Sequence, residues 1–178
     1  MARSELVAPS ALALDRFTQL AGRLLDVPVV CASLVDANRR LWTSSYGLPA
    51  PTALLVSWSL MKQVVASGRP LVVTDGRRHA LVARTPAVRD GTVTAYVGMP
   101  LVASDGRAVG TLSVMDQKPR RWSAPQLGFL RKLSARIVGE MELGAAARGS
   151  SWRMRPSRIW RRLPRTPPAG QGPLTPRA

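Results

Sequence analysis

The stretch Tyr96–Asp116, YVGMPLVASDGRAVGTLSVMD, constrains the fold most, because its pattern suits two strands joined by a tight turn. Val93, Ala95, Val97, Met99 and Leu101 recur at period two, with Tyr96 and Val102 in the complementary set. Ser104-Asp105-Gly106-Arg107 supplies the turn, since Asp-Gly readily takes the positive φ that closes hairpins between right-twisted strands. On the return, Ala108, Gly110, Leu112 and Val114 alternate with Val109, Thr111, Ser113 and Met115. Gly98 and Gly110 inside the strands mark a bulge or a close approach by backbone or ligand. Pro100 predicts an edge position or a bulge, because it cannot donate to a ladder.

The rest of the chain supplies partners for this hairpin. Ser10 is placed to cap a helix running to Leu25, with Leu14, Phe17, Ala21, Leu24 and Leu25 as its apolar stripe. Val27–Val35 and Arg39–Tyr46 read as two antiparallel strands around an Asp36-Ala37-Asn38 turn. Leu54–Ser67 reads as a helix with Trp58, Met61, Val64 and Val65 on one side, stopped by Gly68. Pro70–Asp75 is a further strand, and Gly76–Gly91 an irregular loop with one helical turn near Leu81–Arg84 and a break at Pro86. Ser123 caps a last helix with Pro125 in its first turn and a stripe of Leu127, Leu130, Leu133, Ile137, Val138 and Met141. This order predicts an α+β fold: a central antiparallel sheet of five to six strands, terminal helices on one face, and the middle helix with its loop on the other.

Length and charge divide the chain. Its 178 residues suit one domain at 10–147, a flexible N-terminus at 1–9, and a disordered Arg/Pro-rich tail at 148–178. The tail carries eight arginines and no acid, leaving eighteen basic against ten acidic residues in the body. No segment reaches the roughly 20 apolar residues of a membrane span, and the N-terminus lacks a secretory pattern, so a cytoplasmic protein is expected. A single cysteine, Cys31, forbids an intramolecular disulfide and any multi-cysteine zinc site; a single histidine, His79, argues against a His-rich metal centre. There is no nucleophile elbow and no phosphate-cradling glycine loop, so no enzyme activity is expected.

Residues 57–123 resemble the GAF domain, a small-molecule sensor module related to PAS domains, here of the stand-alone type. The resemblance rests on SWSLMKQVVASGRPLVVTDGRRHALVARTPAVRDG and AYVGMPLVASDGRAVGTLSVMDQKPRRWS. These match the family's Gly-Arg-Pro-Leu-Val-Val-x-Asp, Tyr-x-Gly-x-Pro-Leu and Asp-Gly-x-x-x-Gly-Thr-Leu-x-Val-x-Asp patterns. The match is in register from Ser57 to Ser123 and extends more loosely from Leu12 to Leu143. There are departures: Ser59 stands at the frequent cysteine, His79 at a commonly acidic position, and Thr85 at the usual Asn before Pro86. Ser59 cannot form the thioether that attaches a bilin, and one cysteine cannot run the disulfide cycle of free methionine sulfoxide reductases. The cyclic-nucleotide pattern of the family is absent, and bilin, haem and metal are not supported.

The resemblance implies a ligand pocket lined by Trp58, Ser59, Asp75, Tyr96, Met99 and Asp116. Each residue also has a plainer reading. Tyr96 is either a pocket hydroxyl or a bonded core tyrosine, while Asp75 and Asp116 suit turn capping through Asx bonds. Trp58 suits core packing, and Ser59 either an anion near a helix start or a tight helix–sheet contact. Cys31 suits a buried inert thiol and His79 an exposed loop position. The function expected is a non-catalytic regulatory sensor in signal transduction, forming a homodimer through its terminal helices, with a histidine kinase or phosphatase as partner in trans. The alternative is an interaction protein whose Trp/Arg tail binds an anionic membrane surface or nucleic acid, the body acting as scaffold.

Overall fold

The computed structural model describes residues 11–35, 41–47 and 60–147. The expectations for residues 1–10, the 36–38 turn, the first part of the middle helix and the 148–178 tail lie outside the described residues. Chain order is α1 (Ala11–Leu25), β1 (Val29–Val35), β2 (Leu41–Tyr46), helix α2 (described over 60–67), β3 (Leu71–Val73), a 3-10 turn Gly76–Arg78, α3 (Pro86–Arg89), β4 (Ala95–Val102), β5 (Ala108–Asp116) and α4 (Ala124–Ala147). All described strand pairs are antiparallel, and the sheet order β2-β1-β5-β4-β3 makes β5 the central strand. The α+β architecture read from the sequence is therefore the observed one, with five strands among the described residues.

Period-two alternation sorts the strands onto two cores. Val30, Ala32 and Leu34 of β1, Val97, Met99 and Leu101 of β4, and Leu112 and Val114 of β5 face the terminal helices. There they meet Leu14, Ala21 and Leu25 of α1 and Leu130, Leu133, Ile137 and Met141 of α4. Val29, Cys31, Val73, Tyr96 and Met115 point the other way, under Leu60 of α2 and Val82, Ala87, Val88 and Val93 of the long loop. Each such fully buried aliphatic side chain contributes roughly 1.5–3 kcal/mol. The sheet is thus covered on both sides, and its central strand has no solvent face.

Local chemistry fixes the ends of the elements. Gly68 closes α2 in the left-handed region at φ +63, its N–H donating to Val64 O at 2.9 Å. The Ser123 hydroxyl accepts from Gln126 N (3.3 Å) while Gln126 Oε1 accepts from Ser123 N (2.9 Å), a reciprocal cap that starts α4. The hairpin turn is Ser104-Asp105-Gly106, with Gly106 at φ +81 and its N–H bonded to Ala103 O at 2.8 Å.

Several expectations need correction. The chain does break between the turn at 81–84 and Pro86, but Pro86 also opens a short helix that was not expected, α3, because its missing N–H costs nothing in a first helical turn. The single helical turn expected near Leu81–Arg84 is present, Val82 N and Ala83 N both donating to His79 O. Pro100 is not on the outermost strand, but β3 ends its pairing at Gly98, so β4 is a local edge there. A register shift at Leu101/Val102 follows directly. Leu24, expected in the buried stripe of α1, is 64% exposed; Thr18 takes the inward place and shares a 3.2 Å bond with Ser44.

Candidate functional site

The strand registers lay out the sheet face beneath α2 as a grid. One row runs Val29–Met115–Tyr96–Val73 and is apolar apart from one phenol. The next row runs Ser45–Cys31–Ser113–Gly98–Leu71, and beyond it Ser33 pairs with Thr111, which pairs with Pro100. Half of this face is therefore hydrocarbon, and the other half carries hydroxyls and a thiol. Ser33, Thr111 and Ser113 are all buried, at 2%, 0% and 2% exposure.

These groups are only partly satisfied among the described residues. The Tyr96 hydroxyl and Ser113 Oγ share a 3.0 Å bond, and Cys31 Sγ lies 3.4 Å from Ser33 Oγ. The Thr111 hydroxyl is buried with no hydrogen-bond partner. A buried hydroxyl left unsatisfied costs about 1–3 kcal/mol, so its retention on a central strand needs a reason. Burial pushes the Tyr96 phenol up, the Ser113 bond partly opposing that rise and the nearby Cys31 adding to it. Tyr96 is consequently a neutral donor or acceptor throughout the physiological range.

Gly98 shows how closely α2 approaches. A Cβ there would stand 2.6 Å from the Tyr96 oxygen and 2.8 Å from Val64 Cγ2. The glycine admits helix packing and the phenol together. Gly110 instead lies against backbone, where a Cβ would meet Ser33 O at 2.1 Å.

The residues expected to line a pocket do not form one group. Tyr96 lies on the hydroxyl-bearing face, but Met99, three positions along the same strand, faces the terminal helices. Met99 and Tyr96 cannot be walls of one site. Asp75 caps the Gly76–Arg78 turn, accepting from Arg77 N at 3.1 Å and pairing with the Arg77 guanidinium at 2.8 Å. That hydrogen-bonded cation holds its carboxyl below the usual range.

Asp116 accepts from Lys118 N at 3.1 Å and pairs with Arg120 at 2.9 Å. Arg120 also donates to the carbonyls of Leu25 and Asp26, and stacks 5.1 Å from the Trp122 ring centroid. Its own N–H donates to Thr74 O at 2.9 Å. The guanidinium thus joins the end of α1, the exit of β5 and the approach to α4, and the backbone of the same residue ties in the exit of β3. Trp58 and Ser59 lie outside the described residues.

Ser33, Thr111 and Ser113 were not singled out from the sequence. Their signal was present as period-two polarity in VVCASLV and AVGTLSVMD. Such alternation ordinarily marks a solvent face, and only the sheet order shows that β5 is covered on both sides. His79, expected at an exposed position, is half-buried, and its Nδ1 is buried without a partner. Among the described residues no three His, Cys, Asp or Glu side chains converge on a metal site. No helix among them is long and apolar enough to cross a membrane.

Comparison with known proteins identifies the fold. The family profile for the GAF domain matches residues 11–141. The GAF domain of an Acinetobacter phosphoenolpyruvate-protein phosphotransferase superposes with a TM-score of 0.63 at 22% identity, over 80% of this chain and 87% of that one. A GAF domain/HD domain protein from Geobacter sulfurreducens gives 0.58 at 18% identity, over 80% and 99%. The type II free methionine-R-sulfoxide reductase of Thermoplasma acidophilum gives 0.60 at 10% identity, over 75% and 92%. That last likeness is one of fold, because a single cysteine argues against the reductase activity here. No curated protein matches the chain. With the profile spanning nearly all described elements, the chain belongs to the GAF domain family.

Proposed function

We propose that this GAF domain is a regulatory sensor: a small molecule held against the hydroxyl-bearing face under α2 biases the arrangement of α1 and α4. The observation that carries this reading is Thr111, a fully buried hydroxyl without a partner on a strand covered on both faces. A ligand that satisfies it in one arrangement of the domain and not another shifts the population between them. Arg120 is suited to pass the bias on, since it bonds to α1 and to the ends of both pocket-side strands. Trp58 and Ser59 belong to this proposal as a wall near the start of α2.

Output in trans fits a domain whose terminal helices keep apolar groups outside. Leu20 and Leu24 of α1 and Leu143 of α4 are 44%, 64% and 69% exposed. A second copy covering them gives a homodimer, and a signalling enzyme of the kinase or phosphatase type is the reader. Native mass spectrometry of the protein purified from its own cell tests the sensor reading. A retained small molecule is expected; protein that is empty, and remains unshifted in melting temperature by any metabolite offered, removes it.

A further inference from the structure

We propose that the outer face of α4 binds the sugar-phosphate backbone of a nucleic acid duplex through Arg131, Lys132 and Arg136, without reading base sequence. The inference stands apart from the sensor reading and uses none of its residues. Residues 117–139 hold six lysines and arginines and no Asp or Glu. Of the six, only Arg120 is held in a close ion pair, with Asp116. Arg131, Lys132 and Arg136 are exposed on the helix, and Lys118 and Arg121 are exposed on its approach. Among the described residues Lys118, Arg121, Arg131 and Lys132 have no ion pair. Arg136 has a 3.7 Å contact with Glu140, from a side chain that is 73% exposed. Beside α4, α1 adds exposed Arg16 and Arg23 against one exposed acid, Asp26, just past its end; its Asp15 is half-buried and accepts from Ser44. A chain with a pI near 11.8 that gathers cations along one helix carries the electrostatic footprint of a polyanion partner.

The helical repeat sets the geometry. At 3.6 residues per turn, Arg131, Lys132, Ala135 and Arg136 adjoin on the side of α4 turned away from buried Leu133, Ile137 and Met141. Lys132 and Arg136 stand one turn apart, about 6 Å between their Cβ atoms. A duplex carries a phosphate about every 1.7 Å of its axis, so cations at this spacing each meet a separate one. Gly128 and Gly139 lie on the same side, and a Cβ at either would meet nothing within 4 Å, so the described residues leave the approach open. The face carries no aromatic or large aliphatic group between its cations, since Leu127 and Phe129 pack on the core. It therefore lacks the anchor of a protein interface, the insertion of a membrane helix, and a ring on which unpaired bases stack. Phosphate contacts need none of these, only accessible cations. A second copy is not the occupant, since two such faces would oppose like charges. Leu143, the apolar group exposed on α4, lies about two turns farther along the helix.

The test is fluorescence anisotropy of the intact chain, tail included, with two short DNA duplexes of unrelated sequence, over about 50 to 300 mM salt. Both duplexes are expected to bind alike, with log affinity falling linearly as log salt rises. Replacing the three cations together (Arg131→Gln, Lys132→Gln, Arg136→Gln) is expected to make that slope shallower by about 2.7, or 0.9 for each phosphate released. The control removes the same charge from exposed positions of the loop over the opposite sheet face (Arg78→Gln, Arg84→Gln, Arg89→Gln) and should change the slope by less than about 1. Because both variants keep the 148–178 arginines, the comparison separates α4 from the tail. Thermal melting checks that each variant is folded. If the α4 triple variant is not, Lys132→Gln alone replaces it, with an expected change of about 0.9.

No binding at the lowest salt, an unchanged slope in the α4 variant, or equal changes in both triple variants overturns the inference. Polyglutamate and phosphatidylserine vesicles are offered in parallel. Tighter binding of either one through the same three side chains assigns the face to an acidic protein or to a lipid surface, and overturns it too. None of these results bears on the sensor reading, whose test is a retained small molecule.

Discussion

Removing the Tyr96 hydroxyl leaves Ser113 buried without its 3.0 Å partner, so Tyr96→Phe is expected to cost about 1 kcal/mol, or roughly 4 °C in melting temperature. The same residue sets an alkaline limit. Burial raises the phenol's proton affinity in the folded protein above the ordinary value of 10.0, so the unfolded chain binds fewer protons above that pH. The stabilisation is complete below about pH 10 and is lost as pH rises through the folded-state value. Melting temperatures recorded from pH 8 to 11 should fall at the alkaline end, and Tyr96→Phe should flatten that fall. A parallel fall in both proteins would contradict this. Two residues along, Gly98→Ala would drive a methyl into the Tyr96 oxygen and Val64. We expect a loss of about 1–3 kcal/mol in chemical denaturation. An unchanged midpoint would mean that α2 rides higher above β4 than the 2.8 Å approach requires.

At the scale of elements, Arg120 is the junction. Arg120→Ala leaves the Asp116 carboxylate, 14% exposed, without its cation and frees the carbonyls of Leu25 and Asp26. A loss of about 2 kcal/mol is expected. Faster amide exchange should be confined to residues near the end of α1, the exit of β5 and the start of α4. Arg120→Lys retains charge but not the fork, and should recover only part of the protection. Uniformly faster exchange over the whole sheet would show ordinary destabilisation instead. What the sequence told of these elements was uneven, for physical reasons. Helices and strands with caps, glycine stops and strict periodicity were legible to within a few residues, as at Ser123, Gly68 and the 95–116 hairpin. The helix that Pro86 opens is not legible in the sequence, because proline both ends and begins helices and only the tertiary path decides which.

For the whole molecule, the fold class and the assignment of helices to opposite faces were legible, because terminal and middle helices on one antiparallel sheet have few other solutions. The site was less so. Ser33, Thr111 and Ser113 carry only a period-two polarity that ordinarily marks a solvent face, and the strand order that puts β5 in the middle is tertiary information. Met99 was grouped with Tyr96 by family position although strand parity separates them. Leu20, Leu24 and Leu143 supply the prediction at this scale: light scattering should give a dimeric mass at micromolar concentration, and Leu24→Glu should halve it. A monomeric parent would remove the terminal helices as the proposed interface.

The chain has only two tyrosines, and the sheet places them on opposite sides. Tyr96 is sealed beneath α2, whereas the Tyr46 ring fills the gap left by Gly22 and borders the core under α1 and α4. Protein grown with 3-fluorotyrosine should therefore give a two-line fluorine spectrum, one line for each layer. Occupancy of the hydroxyl face should move the Tyr96 line first, and a signal that crosses to the terminal helices must also move the Tyr46 line. The domain thus has one tyrosine position that reports input and another that reports transmission, readable in a single sample.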